Sequence, residues 1–110
     1  MDIKTFIADW IAASNSYNTK KYLSFFSKDA VLDDPSVGST FPGHKGIKEY
    51  YTSYFIGYKT QTRLLKTKLR KNAAYIEVEF TGEFPEGKIK GMFDFTFGED
   101  KIKTVKAALL

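Results

Sequence analysis

The feature that most constrains this chain is a change of period near Tyr58. Upstream of it apolar residues recur at helical spacing; downstream they alternate with polar ones. Ala74, Ile76, Val78, Phe80 and Phe84 alternate with Tyr75, Glu77, Glu79, Thr81 and Glu83. Ile89, Gly91, Phe93, Phe95 and Phe97 alternate with Lys88, Lys90, Met92, Asp94 and Thr96. Successive side chains of a strand point to opposite faces, so each run has one apolar and one polar face. Turn residues fall at Lys71-Asn72, Pro85-Glu86-Gly87 and Gly98-Glu99-Asp100, and a last strand covers Lys101 to Leu109. The pattern predicts four strands in an antiparallel meander.

Before the meander, Asp2 is placed to cap a helix carrying Ile3, Phe6, Ile7, Trp10 and Ile11 and running to Ser16. Asn18 opens a short second helix with Leu23 and Phe26. Ala30 to Leu32 has strand character, and Asp33-Asp34-Pro35 ends it, because proline lacks an N–H and holds its predecessor extended. Ser36 to Gly43 reads as a loop. A third helix, His44 to Phe55, sets Ile47, Tyr50, Tyr51, Tyr54 and Phe55 on one side. Three helices against a curved meander with one apolar face make a two-layer α+β fold, a single domain over residues 1–110. Aromatic residues are 16% of the chain and mostly face inward, more ring than a thin core needs, so a ring-lined cavity is expected.

Register follows from the faces, since a one-residue slip would turn every side chain over. Pairing Phe80 with Phe93 keeps both apolar rows together, and pairing Lys66 with Glu77 sets opposite charges side by side. That register carries Leu69, Thr67, Leu65 and then Arg63 onto the apolar face, where Arg63 would be an inward cation for a ligand. A bulge in the strand would turn it outward instead.

Composition excludes several classes. No run approaches the about 18 apolar residues of a membrane span, and the opening MDIKTFIADW is amphipathic rather than secretory. No cysteine is present, so disulfides and thiolate chemistry are excluded and a cytoplasmic location is the default. The net charge of +4 is scattered from Lys20 to Lys106, with lysines and aromatics largely on opposite strand faces, which is not a nucleic-acid footprint. His44 is the only histidine and is expected near solvent; with no ligand cluster at metal spacing, no metal or other cofactor is expected.

Asp34 is the candidate catalytic residue. Beside an aromatic cavity it would be partly desolvated, which suits a general base. An aspartate here could equally close an Asx-turn through its own side chain. Trp10 is either a wall of the site or simple core packing.

The residues Phe26, Asp29, Ala30, Asp34, Pro35, Phe41, Gly43, Gly46 and Ile47 form a pattern, F-x-x-D-A-x-x-x-D-P and then F-x-G-x-x-G-I, between a helix and an aromatic helix. This resembles the SnoaL-like branch of the NTF2-like superfamily over essentially the whole chain. The resemblance implies a cystatin-like cone: three N-terminal helices packed on a curved sheet that encloses a cavity. Within that superfamily the chain is most similar to ketosteroid isomerases. The resemblance puts Asp34 at the position of their proton-shuttling base, Trp10 where a tyrosine donates to the enolate oxygen, and Tyr51 where a tyrosine supports that donor. Phe93 takes the place of a second donor if strand faces are matched, Asp94 if the letters are matched. Three readings follow. The first is a cofactor-independent isomerase or cyclase with Asp34 as base, Trp10 and Tyr51 as donors or walls, Phe80, Phe93 and Phe95 clamping a small hydrophobic molecule, and Tyr54 a further ligand-binding residue. The second is a carrier of such a molecule without turnover. The third is an interaction module with a filled core. The resemblance further implies a homodimer through the outer sheet face.

Overall fold

The structure is a computed structural model that describes residues 1–110. Helix α1 spans Ile3–Asn15 and is capped as expected: the Asp2 carboxylate accepts the Thr5 N–H at 3.2 Å. Its stripe of Ile7, Trp10, Ile11 and Ser14 is buried. The Asn18 side chain accepts the Lys21 N–H at 3.1 Å and starts α2, Thr19–Leu23. Phe26 does not belong to this helix. It opens strand β1, Phe26–Asp34, which is longer at its start than the Ala30–Leu32 of the sequence reading.

The loop expected over Ser36 to Gly43 also holds more order. Pro35–Val37 form one 3-10 turn, closed by Gly38 at φ 72°, and Ser39–Pro42 form β2 against β1. Helix α3, Gly43–Tyr51, passes into a π-helical turn, Thr52–Ile56. His44 is half-buried rather than on the open surface, with its Nε2 at 2.9 Å from the Phe26 carbonyl oxygen.

The meander is β3 (Gln61–Arg70), β4 (Ala73–Thr81), β5 (Lys88–Gly98) and β6 (Lys101–Leu109). It joins β1 and β2 in one six-stranded sheet of order β2-β1-β6-β5-β4-β3, in which β1 and β6 run parallel. The apolar face of β4 is buried along its length, from Ala74 to Phe80, under the helices. Bulges at Leu65 in β3 and Lys103 in β6 bend the sheet around the core.

Two register expectations need correction. Phe80 lies opposite Ile89, and Phe93 opposite Ile76. The turn lies where expected, the Gly87 N–H donating to Phe84 O at 2.9 Å around Pro85-Glu86, but the register differs because β4 stops at Thr81 and Phe84 leaves the strand. The slip is even-numbered, so the faces are unchanged and Phe80 still meets Phe93 edge-to-face at 5.9 Å. In β3, Lys66 does pair with Glu77, but Leu64 pairs with Val78, leaving Leu65 as the extra residue of a bulge. Arg63 is thereby turned to the outer face, where it meets Glu79 at 3.1 Å, and Thr62 takes the inner position opposite Phe80.

Candidate functional site

Asp34 ends β1, paired with Ser39 of the edge strand β2 on one side, while its neighbour Asp33 lies opposite Lys106 of β6 on the other. It is 5% exposed. Pro35 turns the chain, and the Asp34 carboxylate caps the 3-10 turn by accepting the Ser36 N–H at 3.0 Å and the Ser36 hydroxyl on Oδ1. Its other oxygen, Oδ2, accepts the Tyr50 hydroxyl at 2.8 Å. The Asx-turn and the buried site are therefore the same residue. A carboxylate offers about four acceptor positions. Three are taken by Ser36 and Tyr50, and one on Oδ2 is free for a guest.

Tyr50 comes from the last turn of α3. Burial, and then the Asp34 charge beside it, push its phenol well above the usual tyrosine pKa, so it stays a donor. The following π turn sets the next rings. The Gly57 N–H reaches back to Thr52 O at 3.0 Å and the Thr60 N–H to Phe55 O at 2.8 Å, both five residues apart. The widened turn gives Tyr50 two aromatic neighbours, Tyr54 at 5.6 Å and Phe55 at 5.7 Å. Gly57 permits it: a Cβ there would stand 2.5 Å from the Ser53 carbonyl oxygen.

Asp34 and these rings border a cavity of about 270 Å3. Small-molecule sites usually run from about 300 Å3 upward, so this one suits a compact guest. Tyr50, Tyr54 and Phe55 line it from α3 and the π turn, Phe80, Ile89 and Phe93 from β4 and β5, and Ala107 and Leu109 from β6. Phe84, Pro85 and Glu86, on the loop between β4 and β5, border the mouth. That loop is tied down by the Glu83 N–H donating to Tyr58 O at 2.6 Å and by Phe84 packing edge-on to Tyr58.

Of the residues expected at the site, Asp34, Tyr54, Phe80 and Phe93 border this cavity. Trp10, Tyr51 and Phe95 do not: they fill the core beside it. Trp10 packs edge-on to Phe93 and Phe95, both at 5.1 Å, and its indole N–H has no acceptor. Tyr51 stacks on Tyr22 at 3.9 Å and donates to Ser14 O at 2.7 Å; burial pushes its pKa to about 12. Phe95 lies between Phe93 and Phe97. Arg63 is on the far face of the sheet. Phe93 is the inward residue of its strand, and Asp94 faces outward to Arg70 at 2.8 Å. Tyr50 and the Phe84-Pro85-Glu86 loop were not singled out. Tyr50 was visible as a member of the aromatic stripe, but nothing in the stripe says which ring meets the carboxylate. No group of His, Cys, Asp and Glu is arranged to hold a metal.

The SnoaL-like domain model matches residues 7–105. None of the curated proteins matches the chain in sequence. Among solved structures, a protein from Sinorhizobium meliloti assigned as a polyketide cyclase superposes with a TM-score of 0.85 at 17% identity, covering 94% of this chain and 93% of its own. One from Kribbella flavida assigned as a ketosteroid isomerase gives 0.84 at 10%, covering 96% and 76%. A cystatin-like protein of unknown function from Methylobium petroleophilum gives 0.83 at 15%, covering 96% and 74%. At these identities the likeness is one of fold.

Proposed function

The chain belongs to the SnoaL-like domain family, and from that premise we propose that it binds a small hydrophobic molecule in the aromatic cavity and moves a proton on it through Asp34. The observation that carries this reading is a buried carboxylate with one open acceptor position in the wall of an apolar cavity. The Ser36 and Tyr50 donors fix its orientation, so the open lone pair of Oδ2 is held ready for a carbon-bound proton next to a carbonyl. The carbonyl oxygen would gain negative charge as that proton leaves. Tyr54 and Tyr58 bring phenols to the cavity and are the candidates to meet it, since the Tyr50 hydroxyl is already given to Asp34. The proton would then return from Asp34 to another carbon, which is an isomerisation, or the enolate carbon would attack a second carbonyl, whose oxygen becomes an alkoxide and takes the proton back from Asp34, which is a ring closure.

The test is deuterium wash-in at the carbon next to the carbonyl of small cyclic β,γ-unsaturated ketones, with binding followed by the methyl NMR signal of Ile89. General-base catalysis is worth about a hundredfold or more, so Asp34→Asn should lower the exchange by at least that while ligands still shift Ile89. Equal exchange by the two proteins would overturn the proton-transfer step.

A second reading, binding without turnover, is favoured by one observation: three of the four acceptor positions of Asp34 are already satisfied. Its signature is a ligand that shifts Ile89 and is recovered with no deuterium. The reading also includes a homodimer through the outer sheet face, which presents Tyr75, Glu77 and Met92. Light scattering that gives 12.5 kDa at every concentration would refute it.

A further inference from the structure

The charge around the cavity runs against the charge of the chain. The protein carries 17 Lys and Arg against 13 Asp and Glu, yet the only charged side chains bordering the cavity are Asp34 and Glu86. No lysine, arginine or histidine reaches it. Asp34 is also unusual among the carboxylates. The ion pairs of the protein are Lys59–Glu83, Arg63–Glu79 and Arg70–Asp94, all with exposed cations. Asp34, buried as it is, meets only the neutral donors of Ser36 and Tyr50. Buried carboxylates are rarely left without a counter-charge.

We infer that the molecule this cavity takes is an organic cation, an ammonium group on a compact apolar body. The inference rests on the reading of the cavity as a ligand site and names the class of ligand. A positive centre would supply the charge that Asp34 lacks. The remaining wall suits it as well, because the faces of Tyr50, Tyr54, Phe80 and Phe93 carry negative quadrupole charge. Neither adjacent pair is stacked, with 52° between Tyr50 and Tyr54 and 90° between Phe80 and Phe93, and all four rings border the cavity. An anionic guest would face two carboxylates with no cation to offset them. A neutral guest would fill the space and leave Asp34 as it is. Glu86, exposed at the mouth, adds attraction of the same sign along the entrance.

The experiment uses the wild-type chain and two probes of one shape: 3-(trimethylammoniomethyl)phenol and its carbon isostere 3-neopentylphenol. Each is titrated while the Ile89 methyl signal reports on the cavity wall. The cation should bind at least about tenfold more tightly, the effect of a desolvated cation–π contact joined to an ion pair. Equal or tighter binding of the neutral isostere would overturn the cation inference and leave the ligand-site reading standing. If neither probe moves Ile89, both fall. A preference for the cation that leaves Ile89 unmoved would place its binding elsewhere and would also overturn the inference.

Discussion

Replacing Tyr50 with phenylalanine removes one hydroxyl and almost no volume, so it isolates the bond to Asp34. Both groups are buried and the bond is 2.8 Å long. A hydrogen bond to a charged acceptor is worth about 1.5–3 kcal/mol, and the variant leaves that oxygen of the carboxylate short of a partner. Tyr50→Phe should therefore lose about 2 kcal/mol of stability at pH 7. The pH dependence makes the test sharper. The Tyr50 phenol titrates well above 10 when folded but near 10 when unfolded. Above pH 10 the unfolded chain has released a proton that the native protein still holds, so stability falls as pH rises. This contribution is essentially complete at pH 9 and has declined by about 1.4 kcal/mol at pH 11, about 1 kcal/mol of it between pH 10 and 11. The variant has no such group. The other buried tyrosines, Tyr22 and Tyr51, are pushed up too, but equally in both proteins. The gap between wild type and variant should thus shrink from about 2 kcal/mol at pH 9 to well under 1 at pH 11. Urea unfolding followed by circular dichroism at pH 7, 9, 10 and 11 measures it. A gap that stays constant with pH, or a variant as stable as wild type at pH 7, would refute the buried phenol–carboxylate pair.

Three further outcomes are expected. Gly57→Ala should destabilise the protein by more than about 2 kcal/mol and change the Tyr54 and Phe55 ring signals in NMR spectra, because its Cβ would lie 2.5 Å from a carbonyl oxygen that belongs to the backbone of the π turn. Arg63→Ala should leave ligand affinity unchanged and cost less than about 1 kcal/mol in urea unfolding, as an exposed cation on the far side of the sheet. Ala107→Leu should fill part of the cavity, abolishing the ligand-induced Ile89 shift while circular dichroism stays native, at a stability cost of about 1–3 kcal/mol for overpacking.

The fold could be read from the chain because its signals are local. The Asp2 and Asn18 caps each act within three residues, and the alternation of β4 and β5 declares their faces without any knowledge of partners. What stayed hidden depends on contacts distant in sequence. Ser39–Pro42 became a strand because β1 offered it an edge, and β1 extends back to Phe26 because its parallel neighbour β6 begins opposite it. The bulge at Leu65 left no mark in composition, yet it decides which way Arg63 points. The site was legible to the same degree. Asp34 was found through the proline after it, and Tyr54, Phe80 and Phe93 through their faces. Facing inward did not separate cavity from filled core, so Trp10, Tyr51 and Phe95 were placed with them. The shape of the void is set by how far the helices stand from each part of the sheet, and no periodicity encodes that distance.

The place of β6 has a consequence for how the protein is made. It follows the other five strands in the chain, yet it inserts between β1 and β5, in the middle of the sheet. Until then the nascent chain carries two unpaired strand edges, β1 on one side and β5 on the other, and both are open to pairing with other chains. The cavity is incomplete for the same interval, because Ala107 and Leu109 belong to its wall and the β1–β6 pairing seats Asp34. Any guest of the proposed kind would therefore be held only once β6 is in place, and its binding would favour the one arrangement in which both edges are sealed.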